Sequence, residues 1–294
     1  MGTSALHGLA CLVLAHEKAS QVAMLLNSVA IEGARCFVHI DSRAHMVRRE
    51  IALIVPPGTW LAPCASCYQA NWGGFGMIKA TLLLLQQALL DPVIQHVCLL
   101  SGNHLPVQSF LNIGNFLFDG RQHMDLRLAA AEPLNQKSLR RFWYKRLEGR
   151  EENSWLIRTV NRQAWRLGRR DLARGLRGIT PMVGQQWWHM TAECGRELIR
   201  FLHENPWYES FFRQVHIPDE AFFQTFLGAS RFAADLGEPP SWQRMDGYSA
   251  ALIGVDDIRI AQASRRPFAR KFDIQQEPDA VKLALECNIN SRSE

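Results

Sequence analysis

Three short apolar segments, each followed by small or polar residues, constrain the fold of this chain more than any other feature of its sequence. They cover residues 9–14, 35–40 and 95–100, and a helical pattern over residues 20–31 separates the first two. Their length and their branched and aromatic side chains are typical of buried strands. Strand, helix and strand in succession favour a doubly wound α/β sheet whose strands are mostly parallel.

Candidate ligand-binding residues follow from that prediction. His16 comes directly after the first strand, Asp41 and Ser42 follow the second, and Ser101 and Gly102 follow the third. Because ligands of doubly wound sheets bind beyond the carboxyl ends of the strands, we expect these residues to lie near a binding site.

A glycine-rich segment at residues 71–76, which contains Trp72 and Gly73, leads into a predicted helix over residues 77–90. Glycines before a helix allow close backbone approach, and the free N–H groups of a helix start can bind phosphate. A tight turn without a ligand explains the same pattern equally well, and both interpretations stay open.

The length of 294 residues is enough for one large α/β domain or two small ones, and we expect a single catalytic domain over residues 1–294. An apolar content of 47% and a charged content of 21% are ordinary for a soluble protein. No apolar run reaches the roughly 18–20 residues of a membrane helix, and the start of the chain does not resemble a signal peptide. These features favour a cytoplasmic protein.

The seven cysteines are an odd number and include one C-x-x-C pair, Cys64 and Cys67. A zinc site needs about four ligands, and no second pair has a suitable spacing. A redox motif is expected at a helix start in a small βαβ fold. A loop with two free thiols is the favoured interpretation.

An arginine-rich and tryptophan-rich segment at about 129–178 is predicted to form helical excursions on the domain, which could line an acceptor groove. The net charge of the chain is +5, and seven arginines fall between Arg158 and Arg177. A solvated helix face is the favoured explanation, and peripheral contact with an anionic membrane or another anionic partner is the alternative. No nucleic-acid-binding module accompanies the arginines, so nucleic acid is not expected as a partner.

Later segments have local signals of their own. Thr191 is predicted to cap a helix over residues 192–204, and Ser109 to cap one that extends through residue 116. Proline and acidic residues at 218–220 predict the first turn of another helix. Residues 250–253 and 258–261 are predicted to be strands.

Sugar transfer from a nucleotide donor would need a base for the acceptor hydroxyl and positive charge for the departing diphosphate. Many such enzymes hold a divalent metal with an Asp-x-Asp pair, which this sequence lacks. Arg244, Arg270 and Lys271 are cations that could take the place of the metal. From pattern alone, Asp219 and Glu220 are explained as acidic residues that complement a helix dipole.

Several of these segments occur together and in order in one family, and the chain resembles glycosyltransferase family 14. This family contains core-2 and I-branching β-1,6-N-acetylglucosaminyltransferases, peptide O-xylosyltransferases and bacterial relatives. The matching segments are Ala15-His16, Phe37-Val38-His39-Ile40-Asp41-Ser42, Trp72-Gly73-Gly74, Leu100-Ser101-Gly102 through Pro106, Gly184-Gln185-Gln186-Trp187-Trp188 with Thr191, Pro218-Asp219-Glu220 with Phe222-Phe223-Gln224-Thr225, and Phe268-Ala269-Arg270-Lys271-Phe272-Asp273. Residues from about 125 to 180 carry no matching motif.

The resemblance implies a GT-A type, Rossmann-like fold and an inverting reaction that needs no divalent metal. It implies that Glu220 is the catalytic base, that Lys271 and an upstream arginine, Arg244, hold the donor diphosphate, and that Asp41 lies near the uracil or ribose. The full set of residues expected to bind a UDP-sugar is His16, Asp41, Ser42, Trp72, Gly73, Ser101, Gly102, Trp187, Arg244, Arg270 and Lys271.

The resemblance favours N-acetylglucosamine as the sugar, with xylose and glucuronic acid as alternatives, and a glycan or lipid-linked glycan as the acceptor. It also favours a bacterial-type enzyme of surface polysaccharide synthesis that acts in the cytoplasm or at the inner face of the membrane. The alternatives are a nucleotide-sugar hydrolase, or another nucleotide-sugar-binding α/β enzyme, and a non-catalytic basic binding module.

One segment departs from the family pattern of Ser-Gly-x-Asp-aromatic-Pro. His104 and Leu105 occupy the positions of the aspartate and the aromatic residue. We therefore expect contacts with the acceptor or the donor sugar to differ near this loop.

Overall fold

The computed structural model of the protein describes residues 4–132, 138–141, 159, 162–163, 166, 169–247 and 249–289. Its strands are β1 (Leu9–Ala15), β2 (Arg35–Ile40), β3 (Trp60–Leu61), β4 (His96–Ser101), β5 (Leu105–Pro106), β6 (Gln122–His123), β7 (Arg127–Leu128), β8 (Met182–Val183), β9 (His189–Thr191), β10 (Leu236–Gly237), β11 (Ser241–Gln243), β12 (Met245–Asp246), β13 (Ser249–Ala250) and β14 (Phe268–Arg270).

The helices of the described residues flank these strands. They are α1 (Ala19–Ala30), α2 (His45–Ile54), α3 (Gly76–Ala88), α4 (Phe110–Leu117), α5 (Leu172–Gly175), α6 (Ala192–Glu204), α7 (Pro206–Phe212), α8 (Phe222–Ala229), α9 (Val255–Ala263) and α10 (Pro278–Ile289). No helix among the described residues is both long enough and apolar enough to cross a membrane.

The main sheet has the strand order β10-β6-β9-β4-β1-β2-β3. Strands β3, β2, β1 and β4 are parallel to one another, whereas β9 runs antiparallel to β4 and β6. The order reverses at β1, since the chain moves to β2 on one side of it and to β4 on the other. The structure therefore confirms the predicted α/β class with a mostly parallel sheet, and ligands of such sheets bind at this reversal point.

The apolar core lies on both faces of this sheet. Along β1, Ala10, Leu12 and Leu14 pack on the face that α3 and α8 cover, and the residues between them pack on the face of α1, α4 and α9. Successive side chains of a strand point to opposite faces, so a strand that is buried on both sides is apolar throughout. This explains why β1 is an uninterrupted apolar segment.

A second, smaller sheet lies next to the end of β4 and has the strand order β11-β14-β5. β14 pairs in parallel with β11 and antiparallel with β5, which follows β4 after a short turn. Because β5 is so close to β4 in the chain, this small sheet brings β14, a late segment, to the carboxyl edge of the main sheet.

Most predicted elements agree with the structure to within one or two residues. The helix over 192–204 has the bounds that were predicted, with the Thr191 side chain accepting from the backbone N–H of Cys194. Ser109 likewise caps α4 by accepting from Asn112. The predicted turn at 218–220 is a 3₁₀ turn, and the α-helix begins only at Phe222.

The two late strands were predicted wrongly. Only Ala250 of the first belongs to a strand, β13, and residues 258–261 lie inside helix α9. The Asp257 side chain accepts from the backbone N–H of Gly254 at 3.0 Å and caps this helix. Ile258 and Ala261 are buried while Ile260 is exposed, which is the spacing of a helix. A segment of four residues is too short to distinguish this spacing from that of a strand, and its isoleucines favoured a strand.

Candidate active site

A cavity of about 500 Å³ opens at the carboxyl ends of β1, β2 and β4. Of the twelve residues predicted from the sequence, eight line it: His16, Asp41, Trp72, Ser101, Trp187, Glu220, Arg270 and Lys271. These residues come from segments that are far apart in the chain, and the fold brings them to one edge of the sheet. A cavity of this size is typical of small-molecule sites.

Asp41 follows β2 and is held by its neighbour Arg43. The Arg43 Nε and Nη2 atoms donate to the two carboxylate oxygens at 2.9 Å each, and the backbone N–H of Ala70 donates to Oδ2 at 2.8 Å. Burial acts to raise the pKa of Asp41, but the hydrogen bonds from Arg43 and Ala70 outweigh it, so the pKa lies below its usual value. Asp41 is therefore an ionised group that joins the loop after β2 to residues 68–70.

His39 lines the cavity from β2, two residues before Asp41, and its side chain is buried. Its Nε2 accepts from the backbone N–H of Tyr68 at 2.9 Å, and its ring stacks on the Tyr68 ring at 6.1 Å between centroids. Burial lowers the pKa of His39 to about 4. His39 is thus a neutral part of the cavity wall near neutral pH.

Glu220 ends the 3₁₀ turn Pro218–Glu220 and also lines the cavity. The backbone carbonyl of Glu220 accepts from the backbone N–H of Gly184 at 2.9 Å. Gly184 itself packs against residue 125 so closely that a Cβ there would lie 1.8 Å from the Asp125 carbonyl oxygen. Only glycine permits this backbone approach, which anchors the turn that carries Glu220.

The carboxyl group of Glu220 has a strongly shifted pKa. Burial, and secondarily the neighbouring Asp219, raise the pKa of Glu220 to about 7, with smaller opposing effects of Arg127, which lowers it, and Asp125, which raises it. Arg127 forms ion pairs with Asp125 and Glu132, so most of its charge is already balanced. A carboxylate whose pKa is near neutrality is suited to act as a general base.

Arg270, the last residue of β14, lies in the same cavity. Its Nη1 donates to the Gln243 side chain at 3.2 Å, and its guanidinium lies over the Trp187 ring, 5.0 Å from the centroid. Burial lowers the pKa of Arg270 to about 10, so it remains protonated at neutral pH. In the described part of the chain, no carboxylate forms an ion pair with Arg270 or Lys271. Two adjacent cations of this kind have the chemistry that binds an anion, and such binding by Arg270 and Lys271 stays a prediction.

The segment that follows Lys271 is fixed to the start of α1. Asp273 forms an ion pair with Lys18, and the Gln21 side chain donates to the Phe272 carbonyl and accepts from the Ile274 N–H, each at 2.9 Å. These contacts hold the chain directly after Lys271 against α1, which packs on β1, so the position of the two cations is tied to that of the main sheet.

Four predicted residues do not line the cavity. Ser42 donates its backbone N–H to Tyr68, and Gly73 accepts from the backbone N–H of Ile217. Gly102 is a packing residue, since a Cβ there would lie 2.7 Å from a methyl group of Val22. Arg244 is ion-paired with Asp257 at 3.1 Å and donates to the Leu252 carbonyl, which leaves it outside the lining.

Trp72 belongs to the glycine-rich segment and is one of the most exposed aromatic residues. Its ring meets His216 edge to face at 5.5 Å between centroids. The segment forms a turn in which Gly74 donates to the Asn71 carbonyl, and α3 begins two residues later. The tight-turn interpretation is thus correct as local geometry, and phosphate binding at this turn stays a prediction.

Several lining residues were not singled out as functional from the sequence. They are His39, Arg43, Asn103, Gln185, Gln186 and Gln243, besides apolar contacts. Gln185 and Gln186 directly precede Trp187, and this pair of polar residues inside an apolar segment is the sequence feature that could have identified them as lining residues. Gln243 has no such signal, because only the pairing of β11 with β14 brings it beside Arg270.

Cys64 and Cys67 are free thiols, as the favoured interpretation predicted. Among the described residues, no group of three or more His, Cys, Asp or Glu side chains has the geometry of a metal site.

Much of the predicted excursion at 129–178 lies outside the described residues, and so does Arg158. Within the described part, Arg170 lies over the Phe211 ring at 3.7 Å and Arg177 lies over the Trp207 ring at 4.8 Å. These two arginines pack on aromatic side chains of α7, which is a structural role. Contact of this segment with a membrane stays a prediction.

The family model for Branch, described as core-2/I-branching enzyme, matches residues 9–237, which is well over half of the chain. The match includes Glu220 and ends before Arg270 and Lys271. Comparison with curated proteins found no match.

Among solved structures, the chain is similar to a 4-diphosphocytidyl-2C-methyl-D-erythritol synthase from Anaerococcus prevotii. The identity is 11%, the alignment covers 87% of this chain and 97% of that chain, and the TM-score is 0.35. A similarity of this degree is too low to support an argument about function.

Proposed function

Because this chain belongs to the core-2/I-branching enzyme family and is therefore a glycosyltransferase, we propose that it transfers a sugar from a UDP-sugar to a hydroxyl group with inversion and without a divalent metal. The single observation that carries this proposal is the shared cavity, which is lined by a carboxylate whose pKa is about 7 and by two cations that pair with no carboxylate among the described residues. Each group supplies one of the two requirements of sugar transfer.

In the proposed reaction, the Glu220 carboxylate takes the proton of the acceptor hydroxyl. The acceptor oxygen forms a bond to the anomeric carbon as the bond from that carbon to the diphosphate oxygen breaks. The electron pair of the broken bond stays on the diphosphate, where Arg270 and Lys271 balance the new negative charge. Because attack and departure occur on opposite faces of the sugar, this single displacement inverts the configuration.

The residues of the cavity support the orientation of the donor. Asp41, Arg43 and His39 lie at the end of β2, whereas Arg270 lies beside the end of β4, with β1 between them. Adjacent strands are about 4.8 Å apart, so the two ends are separated by about 10 Å. This span suits the nucleoside at β2 and the diphosphate at the small sheet.

The sugar and the acceptor are the finer parts of the proposal. We favour N-acetylglucosamine, with xylose and glucuronic acid as alternatives, and a glycan or lipid-linked glycan of bacterial surface polysaccharide as the acceptor. Action in the cytoplasm, at the inner face of the membrane, would place the enzyme next to such an acceptor. Flotation with anionic vesicles tests this location, and protein that stays unbound would contradict membrane contact.

The function is tested by measuring release of the nucleoside diphosphate in EDTA from UDP-GlcNAc, UDP-xylose, UDP-glucuronic acid, UDP-galactose and UDP-glucose, with GDP-mannose, which would release GDP, as a control. Mixed glycan precursors serve as acceptors, and Glu220→Gln serves as the inactive variant. We expect release from one UDP-sugar that depends on acceptor and is lost in the variant. A strict need for a divalent ion would contradict the metal-free reaction, and release that ignores the acceptor would favour a hydrolase.

A further inference from the structure

His104 lies at the junction of the two sheets and is not explained by the reaction above. It is fully buried and does not line the cavity, although the preceding Asn103 does. It follows β4 and directly precedes β5, so the main sheet and the small sheet meet at this residue. Because the ring is buried, each of its two nitrogen atoms needs a hydrogen-bond partner within the protein.

The contacts of His104 join those two sheets. Its Nδ1 lies 2.9 Å from the backbone N–H and 2.8 Å from the hydroxyl oxygen of Ser101, the last residue of β4. Its Nε2 lies 3.0 Å from the hydroxyl oxygen of Ser241, the first residue of β11. A backbone N–H can only donate, so Nδ1 accepts, Nε2 carries the proton and Nε2–H donates to Ser241.

The same ring supports the cation side of the cavity. It meets the Trp187 ring nearly edge to face, with 4.9 Å between centroids and an angle of 73°. Trp187 in turn carries the Arg270 guanidinium over its face. Ser241 and the Gln243 that accepts from Arg270 belong to the same strand, β11, so His104 reaches Arg270 by two routes.

The charge of His104 matters as much as its contacts. Burial, and secondarily the nearby Arg270, hold the pKa of His104 well below its usual value, so the ring is neutral near pH 7. A carboxylate at this position would lie near Arg270 and compete with a bound anion for its charge. A neutral ring leaves the whole charge of Arg270 available to a ligand.

We propose that His104 is a positioning residue that joins the small sheet to β4 and thereby fixes Trp187 and Arg270 against the diphosphate of the donor. The inference rests on the proposed function, because it takes a diphosphate to be the ligand of Arg270. It assigns a role to the residue at which this chain departs from the pattern of its family.

The test compares the affinities of UDP and uridine, which share the nucleoside and differ in the diphosphate, by calorimetry in EDTA. For His104→Ala we expect UDP to bind about tenfold more weakly, which corresponds to one charge-assisted contact, while uridine binding changes little. For His104→Asp we expect a larger loss, of about a hundredfold, because the new carboxylate pairs with Arg270. For His104→Gln we expect partial recovery relative to His104→Ala, since the amide can still donate to Ser241.

His189→Ala is the matched control, because His189 is also fully buried but lies in β9 and does not line the cavity. It should lower the melting temperature and leave the ratio of UDP to uridine affinity unchanged. Ser241→Ala removes only the hydrogen-bond partner of Nε2, and it replaces His104→Ala in the test if that variant does not fold. It should weaken UDP binding by about threefold, as expected for one neutral hydrogen bond.

The outcomes separate the two proposals. Wild-type protein that binds UDP, together with His104 variants that keep the wild-type ratio of UDP to uridine affinity, would show that His104 only stabilises the fold. Wild-type protein that binds no UDP in EDTA would contradict the proposed function itself and remove the basis for this role of His104.

Discussion

Two regions that line the cavity, the turn of Glu220 and the cation pair Arg270 and Lys271, are here called its two sides, and their pKa values respond to burial in opposite ways. Burial raises the pKa of Glu220 to about 7 and lowers the pKa of Arg270 to about 10. In both cases removal from water disfavours the charged form. The consequence differs because Glu220 starts below neutral pH and Arg270 starts far above it. Burial therefore brings the pKa of Glu220 close to neutral pH, where the carboxyl group can gain and lose a proton, while Arg270 stays positively charged.

This difference separates two chemical roles within one cavity. A group that gains and loses a proton near pH 7 can assist a reaction, and a group that stays charged can hold an anion throughout that reaction. Their neighbours reinforce the contrast, since Asp219 lies next to Glu220 in the turn whereas Trp187 and Gln243 contact Arg270. A change to one of these groups should therefore leave the role of the other intact.

The largest effect is expected for Glu220→Gln, which keeps the shape of the side chain and removes its ability to accept a proton. Transfer should fall by about 10³-fold, within the usual range for loss of a general base, while UDP affinity stays close to that of the wild type. Steady-state kinetics and calorimetry on the same preparation measure both. Glu193→Gln, which changes an exposed carboxylate in the first turn of α6, is the matched control. Transfer at the wild-type rate by Glu220→Gln would show that Glu220 is not the catalytic base.

The next effect concerns the other side of the cavity. The variants Lys271→Ala and Arg270→Ala should each bind UDP about 10- to 100-fold more weakly, because each loses a charge-assisted contact with the diphosphate. Uridine should bind nearly as before, and the apparent pKa of transfer should stay near that of the wild type. Equal losses for UDP and uridine would mean that these cations do not face the diphosphate.

Arg266→Ala is the control for this pair, since Arg266 is ion-paired with Glu238 outside the cavity. Arg244→Ala decides between two expectations. The family resemblance assigns Arg244 to the diphosphate, whereas the structure pairs it with Asp257. A loss as large as that of Lys271→Ala would show that the Arg244 side chain turns toward the donor when it binds.

The pH dependence should differ between the two sides. Glu220 acts in its ionised form, so kcat/KM should rise about tenfold per pH unit below pH 7 and level off above it. The affinity for a UDP-sugar should be flat between pH 6 and 9, because Arg270 stays protonated over that range. Initial rates and calorimetry across this range measure both curves. Activity that is constant down to pH 5 would exclude a base with the raised pKa of Glu220.

The smallest effect is on stability. The pKa of Glu220 is raised on folding, so the folded state loses stability as pH rises from the unfolded value of about 4.5 through about 7. Glu220→Gln removes this cost and should be more stable than the wild type by about 1–2 kcal/mol at pH 8, with little difference at pH 4. Urea unfolding at both pH values measures this, and a variant less stable at pH 8 would contradict the burial of Glu220.

The framework of the site could be predicted from the sequence because it depends on strong local patterns. β1, β2 and β4 are buried apolar segments, and the residues that follow them must lie at the carboxyl edge of a parallel sheet. Glu220 was identified by resemblance, since the local pattern alone suggested a helix start. Its raised pKa depends on burial and on Asp125, which is distant in the chain.

Other parts of the site depend on contacts that no local pattern contains. Asp41 was expected near the nucleoside, but its pairing with Arg43 required the geometry of the loop. The place of Arg244 could not be predicted, because Asp257 comes near only through helix α9, a segment that was predicted to contain a strand. The role of His104 likewise depends on Ser241, which is 137 residues away in the chain.

The most direct test is a calorimetric titration in EDTA of the preferred UDP-sugar into wild-type protein, Glu220→Gln and Lys271→Ala. The account predicts that wild type and Glu220→Gln bind with similar affinity and that Lys271→Ala binds at least tenfold more weakly, as expected for loss of a charge-assisted contact. Binding that needs a divalent ion, or affinity that falls with Glu220→Gln and not with Lys271→Ala, would contradict the separation of a proton acceptor from an anion site.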